Sequence, residues 1–219
     1  MSNAIPLYVP HTRMSEATEV FLRTALAVPE GMEVHKVDVT DNPWGYPDHL
    51  RERWAQGESF INMEHDIVPW PGALHRLIEC PEPWCFYGYQ TDIDFAANGA
   101  APFGLVKFGS DLIATIPDVW TDHRAWWQSN FEKFGDRTSE PWVHCDNYFV
   151  AYVKERGLFT PHQHYPAVLN ANPLTLEVDG TTNDGHKHLY EPYPNPSPGV
   201  PPVLVCVHPG CQSFLDVVT

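Results

Sequence analysis

Long hydrophobic runs are missing from this chain of 219 residues. A membrane-spanning helix needs about 18 or more consecutive apolar residues, and no segment reaches that length. The N-terminal segment also lacks the basic residues and apolar run that mark a secretory signal peptide. We therefore expect no membrane span and a cytoplasmic location.

Basic residues are scarce. The chain has 13 Lys and Arg against 28 Asp and Glu, which gives a formal net charge of −15. An acidic surface repels nucleic-acid backbones, and no run of Lys or Arg offsets it. General DNA or RNA binding is therefore disfavoured, whereas cation binding in a cleft is favoured.

Cysteines are few and scattered, and no Cys-x-x-Cys pair occurs, which argues against a zinc ribbon. A bridge between Cys206 and Cys211 is one option, but free thiols in a reducing cytoplasm are the simpler interpretation. The five are Cys80, Cys85, Cys145, Cys206 and Cys211.

Predicted strands and helices alternate at the start of the chain. Residues 5–9, 32–39 and 59–66 have strand patterns, and residues 15–26 and 46–56 have helical patterns between them. This order, with short turns, indicates a right-handed parallel α/β layout.

The sequence changes character after about residue 172. Residues 179–202 are rich in Gly, Pro, Asn and Thr, which indicates an irregular, Pro-rich tail packed on the body. One further strand is predicted over residues 203–207.

An apolar stretch that ends in Glu64-His65-Asp66 is the most informative feature. Side chains alternate along a strand, so Glu64 and Asp66 are predicted to share one face at its carboxyl end, with His65 on the other. Ligands of open α/β sheets bind beyond such ends. Two carboxylates there are costly to bury alone, so the pattern predicts Mg²⁺ or Mn²⁺. The simpler interpretation is an acidic pair that faces solvent.

A second candidate is Asp146, which the pattern places at a helix N-cap. Asp is among the commonest capping residues, so capping alone is one interpretation. The other is a general base held rigidly at the mouth of a cleft.

His162 and His164 form a third candidate, because a strand would put both imidazoles on one face at a spacing suited to metal ligation. One of them could complete a metal site begun by Asp66. A similar pair, His186 and His188, lies in the tail and is interpreted as solvated loop.

The order of these features resembles that of a GT-A-type glycosyltransferase. In such enzymes a nucleotide-binding α/β half ends in an acid-x-acid motif, and an acceptor half follows with a catalytic acid at a helix start and a late metal-binding His. Glu64-His65-Asp66, Asp146 and His164 match those positions. The motif here is Glu-x-Asp instead of Asp-x-Asp, so Asp66 is the expected direct ligand.

The resemblance implies a GT-A-like (Rossmann-like) mixed α/β sheet flanked by helices. It also implies a single catalytic domain over residues 1–172, with a nucleotide-sugar half at 4–90 and an acceptor half at 91–172. Residues 173–219 would form a C-terminal extension.

The activity that the resemblance implies is metal-dependent transfer of a sugar from a nucleotide-diphosphate-sugar, a UDP-sugar by preference, to a hydroxyl acceptor. Asp146 would be the base, and Mn²⁺ or Mg²⁺ would be held by Asp66, His164 and His162. The acceptor, whether a small molecule, a glycan or a modified nucleobase, stays open. So do inversion or retention of configuration and the oligomeric state. Nucleotide-sugar contacts are expected from Tyr8, Pro10, Arg13, Asp38, Asp41, Glu64 and His65.

Two other classes remain open. His144 and Asp146, with His208, match the two-His-one-carboxylate pattern of Fe(II)-dependent oxygenases, although those that use 2-oxoglutarate have a jelly roll. A catalytically inactive nucleotide-binding protein would keep the fold without turnover.

Overall fold

The computed structural model describes most of residues 5–170 and three short strands of the tail. The described ranges are 5–14, 16–23, 28–89, 95–134, 141–170, 190–192, 203–206 and 214–216. The strands are β1 (Leu7–His11), β2 (Val34–Asp38), β3 (Phe60–Met63), β4 (Ile67–Val68), β5 (Trp84–Tyr89), β6 (Leu105–Phe108), β7 (His162–Asn170), β8 (Tyr190–Pro192), β9 (Val203–Cys206) and β10 (Phe214–Asp216). The helices are α1 (Glu16–Arg23), α2 (Gly45–Ala55), α3 (Ala73–Glu79), α4 (Ser110–Thr115), α5 (His123–Phe134) and α6 (Cys145–Glu155), with a 3₁₀ turn at Pro141–His144 before α6.

Seven of the described strands form one mixed sheet in the order β2-β1-β3-β6-β5-β7-β4. β1 pairs in parallel with both β2 and β3, as the alternating strand and helix patterns predict. β6 runs antiparallel between β3 and β5, and β7 then pairs in parallel with β5. The predicted mixed α/β sheet is therefore confirmed.

Each face of the sheet has its own core. Strand residues such as Ile61 and Met63 pack with α1 and α3, whereas Phe60 and Phe108 on the other face pack with α2, α4 and α6. Because side chains alternate along each strand, both faces of the sheet carry apolar residues. The central strands β3, β5 and β6, covered on both faces, are therefore largely apolar.

The second core is mainly aromatic. Phe149 of α6 is fully buried, and its ring centroid lies 5.1–5.9 Å from those of five aromatic neighbours. These neighbours are Trp54, Trp84, Phe103, Phe108 and Trp120. The contacts fix α6, and with it Asp146, against the sheet.

The described part of the tail is a small antiparallel sheet in the order β10-β9-β8. The predicted strand at 203–207 corresponds to β9. The interpretation of 179–202 as irregular falls largely outside the described residues, as do Ser15, His186, His188 and His208. Among the described helices, none is long and apolar enough to cross a membrane.

Replacing Phe149 by Ala should lower the free energy of unfolding by about 3–5 kcal/mol, because it removes a fully buried ring and leaves a cavity. Urea unfolding followed by tryptophan fluorescence measures the change. Tyr165→Ala, at a residue 46% exposed, is the control and should change stability by only about 0.5 kcal/mol. A loss for Phe149→Ala as small as that of the control would contradict this account; Phe149→Leu provides a milder variant if Phe149→Ala does not fold.

Candidate active site

A cavity of about 490 Å³ opens where the carboxyl ends of β1 and β3 meet the loop after β2. Its size falls within the range of roughly 300–1,000 Å³ that is usual for small-molecule sites. The lining residues are Pro10, His11, Thr12, Val39, Thr40, Asn42, Pro43, Tyr46, Glu64, His65 and Asp66. The cavity thus lies at the position where open α/β sheets bind ligands.

The acid-x-acid motif is a turn and not the end of a strand. β3 stops at Met63, and the Ile67 N–H donates to the Glu64 carbonyl at 3.1 Å, which closes the turn before β4 begins. The prediction that Glu64 and Asp66 alternate with His65 along a strand is therefore corrected. The turn brings all three side chains to the cavity lining.

Burial and nearby negative charge both raise the pKa of the Glu64 carboxyl group. Its pKa is raised to about 8, first by loss of hydration and then by the charges of Asp66 and Asp146. The three carboxyl groups that the sequence singled out are thus close enough to interact electrostatically. A cation among them would remove the repulsion.

Tyr46, at the start of α2, links Asn62 of β3 to Glu64 through hydrogen bonds. Its hydroxyl accepts a hydrogen bond of 2.9 Å from Asn62 Nδ2. The same hydroxyl is hydrogen-bonded to Glu64, and this bond lowers the Glu64 pKa, against the larger upward effect of burial. Burial and the neighbouring acids raise the pKa of Tyr46 well above its ordinary value, so it stays a donor. Asn62 and Tyr46 therefore orient Glu64.

Close packing sets the position of α2 against the cavity wall. A Cβ on Gly45 would lie 2.7 Å from the Cβ of Val39, which lines the cavity. Glycine is therefore required at this helix start for the backbone to approach the wall so closely.

Asp146 lies in the first turn of α6, two residues after the N-cap. His144 occupies the N-cap position, and Asp146 Oδ1 accepts a hydrogen bond of 2.7 Å from the Asn147 N–H. The predicted N-cap role is thus corrected. Burial raises the pKa of Asp146 to about 6, while that hydrogen bond acts in the opposite direction.

The loops after β1 and β2 are joined by Thr40. Its hydroxyl lies 2.6 Å from Asp38 Oδ1 and 3.0 Å from the Thr12 carbonyl oxygen, so its single proton can serve either acceptor. The hydrogen bonds that Asp38 accepts from the Thr40 hydroxyl and from the Thr40 N–H lower the pKa of Asp38. Asp38 is exposed and supports the rim of the cavity without lining it.

The other expected nucleotide contacts divide into two groups. Pro10 and His65 line the cavity. Arg13 and Asp41 are exposed residues of the loops after β1 and β2, beside Thr12 and Thr40.

Tyr8 belongs to the core and not to the cavity. Its ring stacks on His35 at 4.7 Å, and its hydroxyl accepts a hydrogen bond of 3.2 Å from Arg53 Nη1. The expected stacking of Tyr8 on a base is therefore not supported, because the ring is buried between protein groups and absent from the lining.

His162 and His164 do not reach Asp66. Asp66 directly precedes β4, and the first residue of β4, Ile67, pairs with Asn170 at the end of β7. His164 lies six residues earlier on that strand, so more than about 10 Å of β7 separates it from Asp66. The two histidines also share the sheet face of Cys85 and Tyr87, which packs with α3, whereas Tyr46 and Asp146 lie across the sheet. The expectation of one metal site formed by Asp66 with these histidines is corrected for that reason.

The oxygenase alternative gains no support from the described residues. His144 Nδ1 accepts a hydrogen bond of 2.9 Å from Asn147 Nδ2, and the third residue of that pattern, His208, lies outside them. The mixed α/β sheet also differs from the jelly roll of the 2-oxoglutarate enzymes.

Sequence reasoning did not assign roles to His11, Thr40, Asn42 and Tyr46, which the structure places in the lining. The available signal was position, since each lies at or after the carboxyl end of β1 or β2, where ligands of parallel sheets bind. Among the described residues that line the cavity there is neither Lys nor Arg.

The structure thus defines an α/β protein with an acidic, small-molecule-sized cavity at the carboxyl ends of its parallel strands. Neither the protein-family models nor the curated proteins match this sequence. Among solved structures, the chain is similar to a glycosyltransferase involved in the glycosylation of the major capsid of PBCV-1. The likeness has a TM-score of 0.42 and 14% identity, and covers 74% of this chain and 82% of that one. So distant a likeness supports no conclusion about activity, which must be inferred from the site.

Glu64→Gln should stabilise the metal-free protein at high pH. The pKa of Glu64 is about 8 in the folded protein and 4.5, its ordinary value, in the unfolded chain. Protonated Glu64 therefore contributes its full stabilisation below pH 4.5, and this contribution is lost as the pH rises through 8. Gln never ionises, so the variant should gain relative to wild type across that window. We expect about 1–2 kcal/mol at pH 8.5, after a discount for the water in the cavity.

Melting temperature measured from pH 5 to 9 checks this difference. Exposed Glu58→Gln is the matched control and should show no such trend. A Glu64→Gln curve parallel to that of wild type would show that Glu64 ionises normally.

Proposed function

We propose that the protein is a metal-dependent glycosyltransferase that moves a sugar from a nucleotide-diphosphate-sugar to a hydroxyl acceptor. The observation that carries the proposal is the cavity at the carboxyl ends of β1 and β3, where Glu64 and Asp66 lie side by side and Asp146 is near. A UDP-sugar is the preferred donor.

The lining charges explain why a cation is needed. A diphosphate in this cavity would face Glu64 and Asp66, and the lining among described residues supplies neither Lys nor Arg to oppose the repulsion. Mn²⁺ or Mg²⁺ binds both carboxylate and phosphate oxygens, so it could join donor and protein and neutralise the leaving diphosphate. Asp66 is the proposed direct ligand, and Glu64 a ligand directly or through water.

Cation binding would also change the protonation of the site. With a pKa of about 8, Glu64 holds a proton at neutral pH in the metal-free protein. A divalent ion competes with that proton, so binding at pH 7 should release it to solvent. The affinity for the ion should accordingly rise with pH up to about 8.

Asp146 is the proposed general base. A pKa of about 6 keeps it ionised at neutral pH while making it more basic than an ordinary Asp, which suits removal of a proton from an acceptor hydroxyl. The aromatic core behind α6 fixes its position. This role applies if the reaction inverts configuration.

The loops after β1 and β2 are the proposed nucleotide contacts. Pro10 and Thr40 line the cavity there, and the rim acids Asp38 and Asp41 are placed to accept hydrogen bonds from ribose or base. Arg13 is the nearest basic residue in the loop after β1 and is proposed to approach the diphosphate.

Asp66→Asn should remove the metal dependence of donor binding, because it deletes the proposed direct ligand. With Mn²⁺ and a panel of UDP- and GDP-sugars, wild type should show a raised melting temperature and slow donor hydrolysis. The variant should lose both by at least about 100-fold in apparent affinity or rate. Exposed Asp111→Asn, in the first turn of α4, is the charge-matched control.

Two outcomes would contradict the proposal. If no nucleotide-sugar stabilises wild type with Mn²⁺, the cavity does not serve this donor class. If nucleotides bind but no donor is hydrolysed or transferred to any acceptor, the protein is a binding module.

Asp146→Asn should lower transfer by roughly 10²–10⁴-fold while leaving donor and Mn²⁺ binding intact, because it removes a base and not a ligand. In wild type, kcat should fall about tenfold for each pH unit below the Asp146 pKa of about 6, since the protonated acid cannot accept the acceptor's proton. A pH profile of kcat measures both. Turnover of the variant at the level of Asp111→Asn would exclude Asp146 as the base.

A further inference from the structure

We propose that Cys80, His162 and His164 form a second metal site, for a zinc-class ion, on the sheet face opposite the cavity. One ligand atom from each residue lies within 4.8 Å of the others, and the Cys80 Sγ is 3.2 Å from His162 Nδ1. This site is independent of the proposed transferase activity.

Local structure brings these three residues together. His162 and His164 are two residues apart on β7, so both rings lie on one face of the sheet, with centroids 4.5 Å apart. Cys80 follows the last residue of α3, where the helix ends in an extended backbone. The sulfur therefore comes from the helix layer and the imidazoles from the sheet.

The donor set determines the class of ion. One thiolate and two imidazoles suit Zn²⁺ and its analogue Co²⁺, whereas Mg²⁺ and Mn²⁺ prefer oxygen ligands. In a tetrahedral zinc site, bond lengths of about 2.0–2.3 Å put ligand atoms roughly 3.3–3.6 Å apart. The Cys80 to His162 separation of 3.2 Å is just below this range, and the 4.8 Å limit on the cluster exceeds it by about 1 Å, so side-chain adjustments of about 1 Å or less would complete the site.

The position of the His164 side chain suits it to bind a metal ion. Its Nε2 is buried and has no hydrogen-bond partner among the described residues, which is costly unless something binds it. A metal ion is one partner that such a ring nitrogen can take, because imidazole is the commonest metal ligand in proteins.

Two positively charged side chains lie near the cluster, and one of its ligands is open to solvent. Buried Lys107 donates a hydrogen bond to the Cys80 carbonyl and lies beside the Cys85 thiol. Its positive charge and that of Arg76 oppose a bare cation, so the Cys80 thiolate is needed to balance the ion. His162 is exposed, which provides a path from solvent.

Binding an ion here would tie the end of α3 to β7. β7 lies near one edge of the sheet, with only the two-residue β4 beyond it among the described strands. The site would therefore stabilise the folded state, and the melting temperature should rise with the concentration of free ion.

Cobalt titration of the full-length, reduced protein tests the site. Co²⁺ should bind one equivalent and give the near-ultraviolet charge-transfer absorption of a cobalt–thiolate bond. Cys80→Ser should abolish that band, and His162→Gln should weaken Co²⁺ and Zn²⁺ binding by more than the roughly 10–100-fold typical of losing an outer-shell partner. His162 is exposed, so this variant should fold normally.

The controls separate this site from its neighbours and from the cavity. Cys145→Ser replaces a buried thiol near α5 and should leave the band unchanged, as should Asp66→Asn at the cavity. The absence of a thiolate band in wild type, its persistence in Cys80→Ser, or its loss in Cys85→Ser alone would overturn the assignment. Because the readout is optical and needs no substrate, its failure is distinguishable from failure of the transferase proposal.

Discussion

Three carboxyl groups held at one end of β3 are the constraint on which the rest of the site depends. Glu64 and Asp66 share a cavity, and Asp146 is close enough that its charge raises the Glu64 pKa. Like charges in a poorly hydrated site cannot all be ionised without a counter-charge. The metal-free protein meets this constraint by protonation, since Glu64 has a pKa of about 8; the proposed holoprotein meets it with a cation.

The structure holds these acids in place from two directions. The Glu64 N–H donates to the Gly104 carbonyl at 2.9 Å, just before β6, so the antiparallel neighbour of β3 fixes the start of the acidic turn. On the other side, the aromatic core anchors α6 and thus Asp146. Buried aromatic contacts of this kind oppose the electrostatic cost of the acids, which is why Phe149 matters for a site it does not touch.

Local sequence patterns predicted most elements because they depend on near neighbours. The helical spacing of 46–56 corresponds to α2 at Gly45–Ala55, and the strand pattern of 32–39 to β2 at Val34–Asp38. The same patterns predicted that Glu64 and Asp66 lie at the carboxyl end of a strand, but not that Ile67 closes a turn there. A turn and a continuing strand differ by one backbone hydrogen bond, which side-chain alternation does not reveal.

Long-range order is what local patterns could not supply. His162 and His164 have the spacing of metal ligands, yet whether they meet Asp66 depends on how distant strands pair. β4, directly after Asp66, pairs with the end of β7, whereas the histidines lie near its start, close to Cys80. The expected role of Tyr8 failed similarly, because its contacts with His35 and Arg53 come from other elements.

That separation also divides the proposed metal sites into two chemical kinds. The cavity offers carboxylate oxygens, which prefer hard ions such as Mg²⁺ and Mn²⁺, whereas the cluster on the opposite face offers sulfur and imidazole nitrogen, which prefer zinc. Ile67, next to Asp66, pairs with Asn170, and His164 lies six residues before Asn170 on β7, so more than about 10 Å separates the two donor sets and they cannot share an ion. An ion at Cys80 would therefore act on donor binding only through the sheet. If substitution of the cavity carboxylates removes the metal dependence of sugar transfer, the responsible ion must bind in the cavity. Ligand hardness thus provides a physical means to assign each metal effect to one face of the same sheet.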